Sequence, residues 1–384
     1  MPHSDRLVLD QLRQLVGTPS VSSTDPNWDQ GNRAVIDLLA TWLTDMGFRT
    51  EIQEVAPGGD KANLIATMGS GPGGLVLAGH TDTVPFDEGR WQSDPLQLTE
   101  RDHRLYGLGS TDMKGFFALA LDAVRNLDLR KLKQPLVILA TADEESSMSG
   151  ARALVSAQQR LGRHAVIGEP TGLKPIRMHK GIAMECIRLT GQSGHSSNPT
   201  LGNNALDGMS LVLTEILAWR KKLEQRYQNP LFEVATPTVN LGHIHGGDNP
   251  NRICGQCELH IDIRPLPGMD LDSLRGELDQ RLQQKLHASG LKLERSSLFG
   301  GIPAFETPAS AAIVRAAEQL TGHSAEAVAF GTEGPFLQQL GMDTVIMGPG
   351  SIDQAHQPDE FLLMNQINPG VDLIKQLIYR FCLT

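Results

Sequence analysis

The residues of this 384-residue chain that could do chemistry gather where apolar runs end. The stretch "GHTDTVP", residues 79–85, follows Leu75-Val76-Leu77-Ala78, which reads as a buried strand. Side chains alternate faces along a strand, so His80 and Asp82 point the same way. A carboxylate beside an imidazole can accept its N–H and hold the other ring nitrogen toward a metal. The same event recurs along the chain. "RLYGLGSTDMKG" places Asp112 in a glycine-rich turn before a helix, and "LVILATADEESS" ends an apolar strand in Asp143-Glu144-Glu145. "HAVIGEPTG" ends another strand in Glu169, and "GPGSIDQAHQPDEF" puts His356 in a loop before the last helix. Any one of these acids alone reads as a helix cap or turn residue. Their recurrence at the strand ends of one α/β domain points to a shared site.

Two histidines with three carboxylates suit zinc, cobalt or manganese better than calcium or a thiolate-bound metal. Three carboxylates and one bridging hydroxide balance the charge of two divalent cations, which limits the cost of burying the centre. If the strand continues through them, Glu144 and Glu145 face opposite sides and cannot easily share one ion. One should then ligate while the other works on the bridging water.

These residues need a frame. Residues 5–16 and 30–46 carry helical apolar spacing, and Gly47 suits the stop of the second helix. Apolar strands are expected at 62–68, 75–79, 136–141 and 165–168, with a helix at 114–126. From about residue 181 the texture changes to strand 182–191, helix 203–224, strand 236–244, strand 253–263, helix 271–287 and strand 291–297. That β-α-β-β-α-β order is the ferredoxin-like pattern. Helix 308–321, strand 343–348 and helix 366–381 then resume the α/β character. The chain is therefore expected to be one α/β domain, residues 1–180 and 298–384, interrupted by a smaller α+β domain at 181–297.

Hydrophobic content of 40% and charged content of 20% are ordinary for a soluble globular protein. A net charge of −10 argues against nucleic acid or an anionic membrane as partner. No apolar run approaches a membrane span, and the N-terminal stretch lacks the charged start and apolar core of a signal peptide. Four cysteines suit a reducing cytosol, so a cytoplasmic location is expected. Cys254 and Cys257 form a lone C-x-x-C inside a strand-like stretch, which favours packed thiols over a redox or zinc motif. "GSGPGG", residues 69–74, fits a dinucleotide fingerprint, but a strand follows it where a helix is required, so a turn is expected.

Taken together, "GHTDTVP", "STDMKG", "ADEES", "GEPTG" and "QAHQPDE" resemble, in order, the blocks of the M20 family of dinuclear zinc amidohydrolases and peptidases. The resemblance runs over nearly the whole chain. It implies a zinc-exopeptidase-like catalytic domain, with helices on both faces of a mixed sheet, and an inserted dimerisation domain. His80 and Glu169 would hold one metal, Glu145 and His356 the other, with Asp112 bridging. Asp82 would support His80, and Glu144 would be the general base. A cis peptide is expected at Asp112–Met113. The resemblance also implies two divalent ions per subunit, zinc with cobalt as an alternative, and a homodimer in which His195 of "SGHSS" reaches the partner's site and stabilises the oxyanion.

The branch most resembled, through "NPNRICGQCELHIDIRPLPGMD" and "FGTEGPFL", hydrolyses N2-acetyl-L-ornithine in arginine biosynthesis. Within that resemblance Asn251 and Arg264 are candidates for substrate contact, Lys180 for the α-carboxylate and Glu333 for the cationic side-chain amine. The alternatives are another M20 hydrolase, whether a succinyl-diaminopimelate desuccinylase, an aminoacylase or a dipeptidase, and a non-catalytic metal- or amino-acid-binding protein.

Overall fold

A computed structural model describes residues 3–87 and 89–384. The chain divides into two compact units. The first comprises residues 1–177, 307–326 and 332–384, the second 178–306 and 327–331. The inserted unit therefore begins at 178 and reaches 306, against the 181–297 expected, and also takes the 327–331 segment. The expected bounds followed the regular elements, whereas the segments that flank them pack with the inserted unit as well.

The first unit is built on a mixed sheet. Strands Leu136–Thr141, Leu75–His80, His164–Pro170 and Asp343–Gly348 run side by side in that order, all parallel. Antiparallel strands Ala62–Met68 and Arg49–Glu54 extend one edge. The strand over 49–54 is absent from the sequence reading, because its mostly polar "RTEIQE" lacks an apolar run. At the other side Ile346 pairs with Ile176, in the strand where the chain passes into the second unit. The glycines at 69–74 do form a turn between two strands, as expected.

Alternate side chains explain how the sheet is covered. Leu64, Leu75, Leu77, Ile138 and Val166 join a core that includes helices His3–Val16, Arg33–Asp45, Lys114–Arg125, Ala312–Thr321 and Ile367–Ile378. On helix Arg33–Asp45, Val35, Ile36, Leu39 and Leu43 make the buried stripe. Gly47 ends it at φ +90°, its N–H meeting the Thr44 carbonyl at 2.8 Å. Residues of the other parity, Val76, Ala78, Val137 and Leu139, are buried too. Helices Ser149–Ser156 and Gly334–Gln339 contact each other, and the latter packs on strand Asp343–Gly348. Helix Lys114–Arg125 is buried almost throughout and lies close to the strands. A side chain at Gly168 would meet the Phe116 ring at 2.1 Å, so only glycine allows that approach.

The second unit follows the predicted order. Its antiparallel sheet runs Thr238–Gly246, Gln256–Arg264, Ala183–Thr190, Lys292–Ser297. Helices Ala205–Arg226 and Leu271–Leu286 bury Ile216, Trp219, Leu278 and Leu282 with Ile187, Leu189, Leu259 and Ile261. Cys254 and Cys257 are buried free thiols, in keeping with the packed reading. No described helix is long and apolar enough to cross a membrane.

One buried histidine in this unit has a consequence for acid stability. His179 is fully enclosed and stacks on Phe305, ring centroids 5.1 Å apart, with Nδ1 2.7 Å from the Lys180 carbonyl. Burial holds its pKa down to about 4, from an ordinary 6.5. Between those values the unfolded chain binds the proton and the folded chain does not, so stability falls as pH drops through this window. At 1.4 kcal/mol per pH unit, the loss amounts to about 3 kcal/mol. His179→Phe should flatten the dependence of Tm on pH between about 6.5 and 4. An unchanged slope would place the acid-sensitive group elsewhere.

Candidate metal centre

The four parallel strands of the first unit deliver the candidate residues at their carboxyl ends, where open α/β sheets form their sites. His80 closes Leu75–His80, Glu169 lies near the end of His164–Pro170, and Glu144 and Glu145 follow Leu136–Thr141. His356 lies beyond Asp343–Gly348, at φ +59°. Asp112 comes from the loop before helix Lys114–Arg125, and the Asp112–Met113 peptide is cis, as expected.

The geometry sorts these residues into two halves around one carboxylate. His80 Nε2 lies 3.1 Å from Asp112 Oδ1 and 3.9 Å from Glu169 Oε1. His356 Nε2 lies 3.5 Å from Asp112 Oδ2 and 3.0 Å from Glu145. The two oxygens of Asp112 thus face the two imidazoles separately. The ligand atoms of His80, Asp112 and Glu145 all lie within 4.8 Å of one another.

Without a cation, this cluster opposes its own charge. Burial raises the Glu169 carboxyl well above the ordinary range, the Asp112 and Glu145 charges raise it further, and His80 pulls the other way. Glu144 is likewise raised by burial, with His80 lowering it and Glu169 and Glu145 raising it. Hydrogen bonds that His356 donates to Asp112 and Glu145 push its pKa up to about 10. Imidazoles and carboxylates aimed at common points, without a thiolate, are the donor set of oxygen- and nitrogen-preferring divalent ions. The residues present therefore fit a pair of such ions.

Asp82 behaves differently from the simplest expectation. His80 Nδ1 lies 2.9 Å from the backbone carbonyl of Asp82, while the carboxylate sits 3.7 Å away. The carboxylate instead accepts the N–H groups of Glu144 at 3.2 Å and Glu145 at 3.1 Å. The strand ends at Thr141, so the two glutamates sit in a turn, and the turn's free N–H donors compete for the Asp82 oxygens. Asp82 consequently fixes the ring of His80 through its main chain and the Glu144-Glu145 turn through its side chain. Asp143, at φ +57°, holds that turn by accepting from Lys61 Nζ at 2.7 Å, Ser22 at 2.9 Å and Ser149 at 2.7 Å.

Glu333 lies in the same unit and is only 1% exposed. Its carboxyl shares a hydrogen bond with Thr141, and burial pushes it up to about 7. The carboxyl expected to meet a cationic side-chain amine is thus enclosed by protein. Its Oε1 has no hydrogen-bond partner. The other candidates, Lys180, His195, Asn251 and Arg264, belong to the second unit. There Lys180 Nζ donates to the Thr236 carbonyl at 2.6 Å, and Arg264 Nε pairs with Asp262 at 2.8 Å. His195 is exposed, its Nδ1 2.8 Å from Ser197 Oγ.

Two positioning residues went unread in the sequence. Glu360 Oε1 accepts the N–H of Thr111 at 2.8 Å and of Asp112 at 2.9 Å, and Oε2 that of Gly109 at 3.0 Å. Burial, then the Asp112 charge, push Glu360 up to about 8, with the three N–H donors acting against them. Its signal is an acid in "QAHQPDEF", four residues past His356. Lys114 is buried and donates to the carbonyls of Leu15 at 3.1 Å and Thr18 at 2.8 Å. Nothing local distinguishes Lys114 from a surface lysine at a helix start.

With this geometry in view, the comparisons are specific. The profile of peptidase family M20/M25/M40 matches residues 76–380. Acetylornithine deacetylase of Edwardsiella ictaluri is 53% identical, the alignment covering 96% of each chain. The enzyme of the same name from Photorhabdus laumondii is 50% identical over 98% of this chain and 97% of its own. A dinuclear metal binding peptidase of the M20 family from Bacillus subtilis superposes with a TM-score of 0.70 at 14% identity, covering 98% of this chain and 97% of that one. The chain belongs to the M20 peptidase family.

Glu360→Gln should weaken metal binding by about 10–100-fold, the usual cost of losing a group that orients a ligand. The amide keeps one acceptor oxygen but turns an N–H₂ toward a backbone donor. Metal titration of the metal-free protein by calorimetry measures this, with circular dichroism to confirm the fold. Unaltered affinity would remove Glu360 from any part in holding Asp112.

Proposed function

We propose that this protein hydrolyses N2-acetyl-L-ornithine to L-ornithine and acetate, in the cytoplasm, as a step of arginine biosynthesis. The observation that carries the reading is identity of 50% and above, over nearly the whole chain, to several acetylornithine deacetylases. The solved structures resembling it are 14–18% identical and speak for the fold alone.

In this reading His80 and Glu169 would hold one divalent ion and Glu145 and His356 the other, with Asp112 as a further ligand. Zinc is the proposed metal, with cobalt able to replace it. When bound, such ions would supply a water of lowered pKa and polarise the amide carbonyl. Glu144 takes the water proton on its carboxylate and passes it to the departing amide nitrogen. One carboxyl that takes up a proton and then releases it can serve as both base and acid. Asp82 keeps Glu144 and Glu145 in place through their N–H groups. His195, from the inserted unit of the partner in a homodimer, donates to the carbonyl oxygen as it gains charge. Arg264, Asn251 and Lys180 bind the amino-acid end of the substrate, and Glu333 biases the site toward cationic side chains.

Two experiments bear on this. Glu144→Gln should retain metal yet lose at least about 10²–10⁴-fold in kcat. Mixing it with His195→Ala chains should then restore activity, because one site of each heterodimer regains both native groups. Near-normal turnover by Glu144→Gln would move the base elsewhere, and confirmed heterodimers without recovery would remove the trans role of His195.

A substrate panel tests the chemistry itself. N2-acetyl-L-ornithine should exceed N-succinyl-L,L-diaminopimelate by at least about 10³-fold in kcat/KM. The succinyl compound adds carboxylates at both ends, and burying an unmatched charge costs several kcal/mol, each 1.4 kcal/mol being tenfold. Preference for the succinyl substrate would overturn the deacetylase reading and leave the two-ion geometry intact.

A further inference from the structure

The sheet of the second unit has two faces, and one carries a set of residues that packing does not explain. Strand Gln256–Arg264 buries Cys257, Leu259, Ile261 and Ile263 against the helices. Its other parity, with Glu258 and His260, points away from them. In the antiparallel register His260 lies opposite Cys186 on one side and His243 on the other. Directly opposed residues share a face, so two imidazoles and a thiol form one row across three strands. Glu258 stands one step along the same face.

A β-bulge creates this row. The register of Thr238–Gly246 slips by one residue between Leu241 and His243, at Gly242. Val239 pairs with Ile263 and Leu241 with Ile261, both among the residues buried toward the helices. Continued alternation would send His243 to that same face. The slip inverts it, since a one-residue shift exchanges the faces of a strand. His243 is thereby set beside His260, ring centroids 4.9 Å apart.

We propose that this face holds a metal site, separate from the catalytic unit, in which Cys186, His260 and Glu258, with His243 alongside, bind a zinc-class divalent cation. Sulfur, imidazole and carboxylate donors together suit that borderline-soft class. One donor atom from each of Cys186, Glu258 and His260 lies within 4.8 Å of the others. A tetrahedral zinc site needs such donors roughly 3.5 Å apart, which side-chain rotation about an ion supplies. The carboxylate is already oriented. Arg188 holds Glu258 Oε2 at 2.6 Å, and Oε1 faces His260 Nε2 at 3.2 Å. A ligating carboxylate fixed from behind by hydrogen bonds is the usual support of a metal ligand. Glu258 also lines a surface concavity of about 510 Å³.

The thiol adds a pH signature. Cys186 would bind as the thiolate, and an ordinary thiol is mostly protonated at neutral pH. Binding must expel the thiol proton, so affinity should rise with pH.

Cobalt(II) is the probe, because the catalytic candidates include no cysteine. The full-length protein loaded with cobalt should show a thiolate-to-cobalt charge-transfer band in the near ultraviolet. Glu169→Gln should keep that band. Cys186→Ser should abolish it and lower bound cobalt by one equivalent per chain. His260→Gln should do the same, and serves if the serine variant fails to fold. Arg188→Ala should weaken the site by about 10–100-fold. No band at saturating cobalt overturns the proposal. So does a band that survives Cys186→Ser and disappears with Cys254→Ser or Cys257→Ser. Neither result touches the deacetylase reading, which is carried by identity to the deacetylases over nearly the whole chain.

Discussion

Mutual repulsion among carboxyl groups at the ends of neighbouring strands governs the catalytic unit. Asp112, Glu144, Glu145 and Glu169 occupy one small volume, where each negative charge raises the cost of the next. Cations relieve that repulsion, and the rest of the unit holds the acids in place until they do. Asp82 ties down the Glu144-Glu145 turn, Glu360 ties down the Asp112 loop, and Lys114 ties the start of the following helix to the Leu15 and Thr18 carbonyls. Much of the buried polar structure is a frame for groups that would otherwise move apart.

The frame explains why the glycines sit where they do. Gly79 and Gly168 remove side chains from the two central strands where Met113 and Phe116 press against them. A Cβ at Gly79 would come within 2.3 Å of the Met113 side chain. The helix after Asp112 can then lie flat on the sheet, and the Asp112 loop reaches the strand ends beside His80. Missing side chains next to His80 and Glu169 thus let the Asp112 loop approach both strand ends.

What could be read from the sequence follows the same physics. Apolar runs that stop at His80, Thr141 and Glu169 mark strand ends because burial and period two leave few alternatives, and the β-α-β-β-α-β order of the second unit is legible from alternation alone. Polar Arg49–Glu54 pairs at an edge and leaves no such mark. Asp82 reads as a partner of the His80 ring because period two puts them on one face. That argument is blind to the free N–H groups of a turn sixty residues later. Glu360 and Lys114 are silent for a related reason, since a carboxylate that clamps backbone and one that faces water look the same in one dimension. The bulge at Gly242 exchanges the faces of a strand without altering its composition, so the histidine row exists only in three dimensions.

The nested layout has a consequence for how the chain is made. Strand His164–Pro170 borders strand Asp343–Gly348 in the sheet, yet the whole inserted unit is synthesised between them. Until the later strand leaves the ribosome, the earlier one is an open edge with unpaired backbone groups, the kind of surface that recruits stray strands. Joining the two requires closure of a very long loop, a slow event for a parallel pair. Folding the inserted unit first shortens the effective span between the loop's ends. The second unit would then act during synthesis as a clamp that delivers the last strand, and with it His356, to a half-built sheet.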